Sequence, residues 1–241
     1  MKHATGIIPA RFGSQRFPGK PLAKILGKPM LQRVYEKALS SKHLNRVIIA
    51  TDDEKIFDTS KSFGADVYMT SPEHNSGTER VAEIAEKIED PIIINIQGDE
   101  PLLKGKMIDS LVESLQDDTI NMSTLAFKQH DLSLFNNRNS VKVVIDQQGF
   151  ALYFSRSPIP SQIQDYYWLH IGIYGYQREF LLNFRSLNTS RLEQNEKLEQ
   201  LRVLENGYKI KVIETQYLTL SVDSPEDIIK VENILKKEQN A

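Results

Sequence analysis

Short apolar runs, each closed by a polar turn and most of them followed by a segment with helical spacing, restrict this chain to few architectures. The runs at 6–8, 47–50 and 92–96 are dominated by Ile and Val, and another short strand-like run stands at 66–69. Strands buried on both faces read this way, and they belong to parallel sheets covered by helices. Between them, 54–63 has helical spacing and is closed by Gly64, and 76–88 is a helix entered through Asn75-Ser76-Gly77. Strand and helix in alternation imply βαβ units, so the fold class is α/β with a mostly parallel sheet flanked by helices. At 241 residues and 40% apolar content, the chain suits one large domain over 1–241.

The texture changes after residue 122. Strand-like runs at 122–127, 141–145, 151–155 and 169–176 follow closely, with Gln147-Gln148-Gly149 as a hairpin turn. This reads as an antiparallel subregion inserted at about 122–176, suited to a lid or a dimer surface. A helix is expected over 190–204, opened by the capping box of Ser190 and Glu193 and ended before Gly207. A strand at 209–213 and a last helix at 224–235 complete the pattern, with Ser224 as N-cap and Pro225 at the first helical position.

The first run is cut by Pro9 and enters a turn-rich loop holding Arg11, Arg16 and Lys20 around Gly13, Pro18 and Gly19. Loops at the carboxyl ends of such strands are where α/β proteins bind ligands. One loop cation is usually solvated surface charge. Three of them after a buried strand, among small residues that let backbone N–H groups approach an anion, point to a nucleoside triphosphate. The loop has neither Gly-x-x-x-x-Gly-Lys-Ser/Thr nor Gly-x-Gly-x-x-Gly, which argues against a Walker-type ATPase and a dinucleotide-binding dehydrogenase. A net charge of −2 offers no basic field for nucleic acid. The absence of cysteine excludes disulfides, thiolate catalysis and Cys-based metal sites. No run of about 18 apolar residues suggests a membrane span, and residues 1–5 lack a signal peptide's apolar stretch, so a cytoplasmic protein is expected.

Several polar residues admit two readings. Asp99 sits where the 92–96 run ends, inside Gln97-Gly98-Asp99. A carboxylate there can share Mg²⁺ with a triphosphate, while Asp-Glu-Pro is also ordinary turn chemistry. Asp223 precedes a good helix start, and capping is the stronger local reading. Ser76, Gly77, Thr78 and Arg80 form a helix entry whose amides can hold a base or phosphate, or are simply capped by Ser76 and Glu79. Arg156 at a strand end can clamp a carboxylate. A lone strand histidine such as His170 is usually structural. For Glu199 and Gln200, in a helix whose leucines point inward, nothing local decides.

Taken together, these motifs resemble the 3-deoxy-manno-octulosonate cytidylyltransferase (CMP-Kdo synthetase) family. The matching text is Ile-Pro-Ala-Arg-x-x-Ser-x-Arg-x-Pro-Gly-Lys-Pro-Leu at 8–22, Ala-Thr-Asp-Asp at 50–53, Ser-Gly-Thr-Glu-Arg at 76–80 and Gln-Gly-Asp-Glu-Pro at 97–101. It continues with Tyr-Phe-Ser-Arg at 153–156, His-Ile-Gly-Ile-Tyr at 170–174, Leu-Glu-Gln-Leu-Arg at 198–202 and Val-Asp-Ser-Pro-Glu-Asp at 222–227. Two features depart from it: the stretch from Pro160 to His170 is short, and Leu169 stands where relatives commonly have a cation. The resemblance implies a Rossmann-like nucleotidyltransferase fold, the substrates CTP and Kdo, the products CMP-Kdo and pyrophosphate, and a homodimer. It places Pro9, Ala10, Arg11, Gly13, Ser14, Arg16 and Lys20, with Ser76, Gly77, Thr78, Arg80, Gln97 and Asp99, around the nucleotide. Arg11, Arg16, Lys20, Asp99 and Asp223 become the catalytic set, with Asp99 and Asp223 on Mg²⁺. Gln97, Arg156, His170, Tyr174, Glu199 and Gln200 become the sugar-acid pocket. An enzyme for a related acidic sugar, 8-amino-Kdo or a sialic-type acid, is the alternative.

Overall fold

The structure is a computed structural model and describes residues 1–13, 17–184 and 186–239. In chain order the chain runs β1 (Ala4–Ala10), a single 3-10 turn (Lys20–Leu22), β2 (Lys24–Ile25), β3 (Lys28–Pro29), α1 (Met30–Ala38), β4 (Arg46–Thr51), α2 (Glu54–Ser62) and β5 (Asp66–Met69). Next come α3 (Gly77–Glu86), β6 (Ile92–Asn95), α4 (Gly105–Ser114), β7 (Met122–Gln129), α5 (Leu132–Asn136), β8 (Lys142–Ile145) and β9 (Ala151–Ser155). The rest is β10 (Tyr167–Gln177), α6 (Arg178–Phe184), α7 (Arg191–Glu196), α8 (Gln200–Glu205), β11 (Lys211–Thr215) and α9 (Pro225–Gln239). Among the described residues no helix is long and apolar enough to cross a membrane.

The main sheet has the order β11-β7-β10-β6-β1-β4-β5, with β8 and β9 joined to its side through β10. β6, β1, β4 and β5 are parallel, as the apolar runs require. β10 is antiparallel to both β6 and β7, so the strands after residue 122 continue the main sheet and only β8 and β9 hang outside it. Alternate strand residues feed two cores. Ile8, Ile49 and Ile94 pack with α1, α2 and α4, while Ile7, Ile48 and Ile93 pack with α3, α6 and α8. A third cluster joins Ile25 and Met30 to Leu102, Val222, Val231 and Leu235, docking α9 beside the β2–β3 hairpin.

Two expectations are corrected. β1 does not stop at Pro9 but continues to Ala10, with Pro9 aligned to Ala50. The Ile7 carbonyl accepts from Ile96, so residues of that parity face β6, and β6 ends at Asn95. Pro9 therefore sits where the ladder needs no N–H donor. The single helix expected over 190–204 is broken in two by Lys197, at φ 56 in the left-handed region. Its capping box forms as expected, with Ser190 and Glu193 each serving the other's backbone. Glu193 is then gripped by Arg202 of α8 through two bonds of 2.8 and 2.6 Å, which bend the two short helices together.

Candidate active site

A cleft of about 300 Å³ opens at the carboxyl end of β1. Pro9 and Ala10 form its floor, and two glycines let neighbouring elements lie on that floor. A Cβ on Gly77 would stand 3.2 Å from Pro9 Cγ, and one on Gly98 would stand 3.2 Å from the Pro9 carbonyl oxygen. Arg11 and Lys20 line the cleft on one side, and Ser76, Gly77 and Arg80 line it on the other. Lys20 begins its 3-10 turn directly after Gly19, whose φ of 71 suits a residue without Cβ. Gly13 is outside the lining and in open surroundings. Ser14 and Arg16 lie outside the described residues.

Lys20 organises the acidic part of the cleft. Its Nζ donates to Asp99 Oδ2 at 2.6 Å and stands 3.8 Å from Asp223 Oδ1. The two aspartates, 124 residues apart in sequence (223 − 99), therefore converge on one cation. The Val222 N–H donates to the Asp99 carbonyl at 3.0 Å and ties the two turns together. Local capping does not hold Asp223 away from this point. Asp227 Oδ2 takes the N–H groups of Asp223 and Ser224 at 3.2 and 3.1 Å, and the Ser224 hydroxyl at 3.0 Å. Glu100 follows Asp99 and is bonded by the Ser221 hydroxyl, its Oε2 having no partner among the described residues. Burial, reinforced by the charges of Asp99 and Asp223, pushes its carboxyl up to about 7.

Two hard-oxygen carboxylates that already share one cation suit Mg²⁺, which takes few protein ligands and completes its shell with phosphate and water. Among the described residues no group of three or more acidic or histidine side chains forms a closed metal cage. Asp99 and Asp223 are the protein ligands such an open site would use.

The wall of the cleft formed by α3 is held from within. The Arg80 guanidinium is 3% exposed, pairs with Asp52 at 2.7 Å and bonds the Thr70 hydroxyl. Thr78 donates to Glu199 at 2.5 Å, linking α3 to the start of α8. Burial raises the Glu199 carboxyl, although the Thr78 and Ser76 hydroxyls oppose that rise.

A larger cavity of about 960 Å³ adjoins the cleft and shares Gln97, Asp99 and Asp223 with it. His170, Tyr174 and Gln200 line the larger cavity. Gln200 Nε2 is a buried donor with no partner among the described residues. Arg156 and Glu199 stand behind the lining. Arg156 binds the Glu196 and Arg138 carbonyls at 3.0 and 3.2 Å. Burial pushes the Tyr174 phenol far above its usual range, with Glu199 adding to the shift and Arg156 opposing it, so both charges lie within reach of that ring.

His170 sits beside a register break in β10, between Ile171 and Tyr174. Its Nε2 is 2.9 Å from Thr124 Oγ1, which also lies 2.9 Å from the Ile173 carbonyl. Thr124 has a single hydroxyl hydrogen, and the carbonyl can only accept it. This assigns Nε2–H of His170 as donor and leaves Nδ1 as an acceptor for a hydroxyl. Burial pulls the imidazole down to about 3, so it is neutral at pH 7. A lowered histidine binds fewer protons folded than unfolded, so stability is full above about 6.5 and is lost as pH falls. From pH 7 to 5 His170 alone should cost about 1–2 kcal/mol, counting some wetting from the cavity. Urea unfolding at both pH values should show that increment missing in His170→Gln, and an unchanged pH slope would refute the neutral ring.

The family profile described as Cytidylyltransferase matches residues 5–210. The 3-deoxy-manno-octulosonate cytidylyltransferase of Syntrophotalea carbinolica is 48% identical, with 96% of this chain and 98% of that protein covered. That of Haemophilus influenzae strain PittGG is 49% identical over 97% of this chain and 99% of its own length. The chain belongs to the 3-deoxy-manno-octulosonate cytidylyltransferase family. A solved CMP:2-keto-3-deoxy-manno-octonic acid synthetase complexed with CTP superposes with a TM-score of 0.93 at 40% identity, covering 98% and 99% of the two chains. A 4-diphosphocytidyl-2C-methyl-D-erythritol synthase from Anaerococcus prevotii, at 15% identity and a TM-score of 0.66, shares the fold alone.

Against this family background, some residues that build the site escape a reading of the sequence. Asp52 lies in the matched Ala-Thr-Asp-Asp text yet reads as a turn residue until Arg80 is seen on it. His74 lines the nucleotide cleft while its ring bonds Glu83 at 2.7 Å. Glu100 is visible only as part of Gln-Gly-Asp-Glu-Pro.

Proposed function

We propose that this chain transfers the cytidylyl group of CTP to 3-deoxy-D-manno-octulosonate, giving CMP-Kdo and pyrophosphate, the activation step that feeds lipopolysaccharide synthesis. The observation that carries the reading is the meeting of the two cavities at Gln97, Asp99 and Asp223. A nucleotide in the smaller cleft puts its α-phosphorus at that junction, and a sugar acid in the larger cavity approaches it from the other side. The anomeric oxygen attacks the α-phosphorus in line, the bond to the pyrophosphate oxygen breaks, and the hydroxyl proton passes to solvent. Such transfers depend on positioning and charge neutralisation. Arg11 and Lys20 offset the charge that grows on the leaving pyrophosphate. Gln200, with its unpaired amide donor, and His170, with Nδ1 as acceptor, orient sugar oxygens. Asp99 and Asp223 would hold Mg²⁺, which would polarise the phosphate and lower the pKa of the attacking hydroxyl.

Pyrophosphate release from CTP and Kdo, with Mg²⁺ and with chelator, tests the reaction. Release with Kdo that stops on chelation is expected. Release with 8-amino-Kdo or a nine-carbon sialic acid, but not Kdo, would reassign the sugar. For the assembly we propose a homodimer through the subregion of residues 122–176, where Leu132 of α5, Leu152 of β9 and Tyr166 before β10 are exposed. A monomer mass by light scattering at micromolar concentration would reject it.

A further inference from the structure

Lys142 is 0% exposed, an unusual place for an ammonium, which is costly to desolvate unless every proton is accepted. Its Nζ donates to three backbone carbonyls, those of Asn137 at 3.1 Å, Ser140 at 2.6 Å and Arg156 at 2.6 Å. Three N–H donors meet three acceptors from separate stretches of chain: the end of α5, the turn into β8, and the residue after β9. Asn137, Asn139 and Ser140 line the larger cavity, and Lys142 itself does not.

The Arg156 peptide is held from its other side by Glu196. The Arg156 N–H donates to Glu196 Oε2 at 2.9 Å, its Nε donates to the Glu196 carbonyl at 3.0 Å, and the Ser155 hydroxyl donates to Glu196 Oε1 at 2.8 Å. Glu196 is followed by Lys197, whose left-handed φ of 56 leads the chain into Glu199 and Gln200. One network thus runs from the loop at 137–140 through Lys142, Arg156 and Glu196 to the residues that open α8. Its two ends line the larger cavity, through Asn137, Asn139 and Ser140 at one end and Gln200 at the other, and none of its members lines the smaller cleft. Burial pulls the Lys142 ammonium down while Glu196 opposes that shift, which fits an ion kept for the bonds it makes.

We propose that Lys142, braced by Glu196, is a positioning residue for the acid-sugar substrate, shaping the larger cavity by pinning the 137–140 loop and the Arg156 peptide without touching the sugar. The role of the cavity as the sugar site rests on the function proposed above, so the test has one arm that needs no substrate. Lys142→Met keeps an unbranched side chain, one atom shorter, and removes all three donors. Hydrogen–deuterium exchange over 137–141 should quicken about ten-fold or more in Lys142→Met, while α3 on the nucleotide side keeps the wild-type rate. With CTP and the turned-over sugar acid, KM for the acid should rise about ten-fold, with KM for CTP within about two-fold of wild type. Glu196→Gln, which keeps its volume and one acceptor, should shift the same two readouts in the same direction by less, and it carries the test if Lys142→Met does not fold.

Unchanged exchange over 137–141 in a folded variant overturns the proposal whichever sugar is used. Equal rises in both KM values, or a fall in kcat with both KM values unchanged, also overturns it, because either marks a merely structural loss. Wild-type protein inactive with Kdo but showing the exchange effect in the variant keeps the pinning role and sinks the substrate reading instead.

Discussion

Asp99→Asn and Asp223→Asn should each fold normally and lose turnover by about 10²-fold or more, the scale seen when one preorganised electrostatic group is removed from a reacting phosphate or oxyanion. Each substitution is isosteric and leaves the other carboxylate beside Lys20, so the ammonium keeps a partner. Neither strips α9 of its cap, because Asp227 takes the N–H groups of Asp223 and Ser224. Removing one negative charge also relieves buried Glu100, whose carboxyl both aspartates push up. Thermal stability should therefore stay level or rise while kcat falls, and the Mg²⁺ concentration for half-maximal rate should move upward. Pyrophosphate release titrated with Mg²⁺, alongside a melting curve, reads all three quantities. Wild-type turnover with an unchanged Mg²⁺ midpoint in both variants would remove the two aspartates from metal binding.

Arg80→Met should be the most destabilising single change around the site, by about 2–4 kcal/mol, the cost of breaking a buried pair reduced for the partial exposure of Asp52. The guanidinium is 3% exposed and serves Asp52, the Thr70 hydroxyl and the Ser71 carbonyl, so its loss strands three groups. Asp52→Asn added to Arg80→Met should recover part of the loss, because the stranded charge is then gone. Urea unfolding of the single and double variants gives the coupling directly. A single variant as stable as wild type would show that Arg80 is not the strut of this wall, and its place would be at the nucleotide alone.

How far the sequence carries depends on the range of the forces involved. Strands at β4, β5 and β6 and the caps at Ser76 and Ser190 follow from periodicity and local hydrogen bonding, and they form as expected. α4, α5 and α6 have no reading at the sequence level, because their ends lack a side-chain signal as clear as Ser190 with Glu193. The break at Lys197 is equally silent, since the run around it keeps helical spacing and only the Arg202–Glu193 grip makes the bend worthwhile. Local chemistry favoured capping for Asp223 and left Asp99 even. The tertiary approach of their turns to Lys20 brings the two carboxylates together, and no spacing rule encodes that. The resemblance to relatives carried both residues across this gap. It also groups Arg156 and Glu199 with the sugar; neither is among the lining residues of the larger cavity, and they bond the Glu196 carbonyl and the Thr78 hydroxyl.

The helix that delivers Asp223 follows every other described element along the chain and is fastened by the small apolar cluster around Met30 and Val231. In a polypeptide still emerging from the ribosome, or one clipped between β11 and α9, that cluster is incomplete and Asp223 is not held beside Lys20. On the role proposed for Asp223, competence for chemistry would arrive only once this segment has docked.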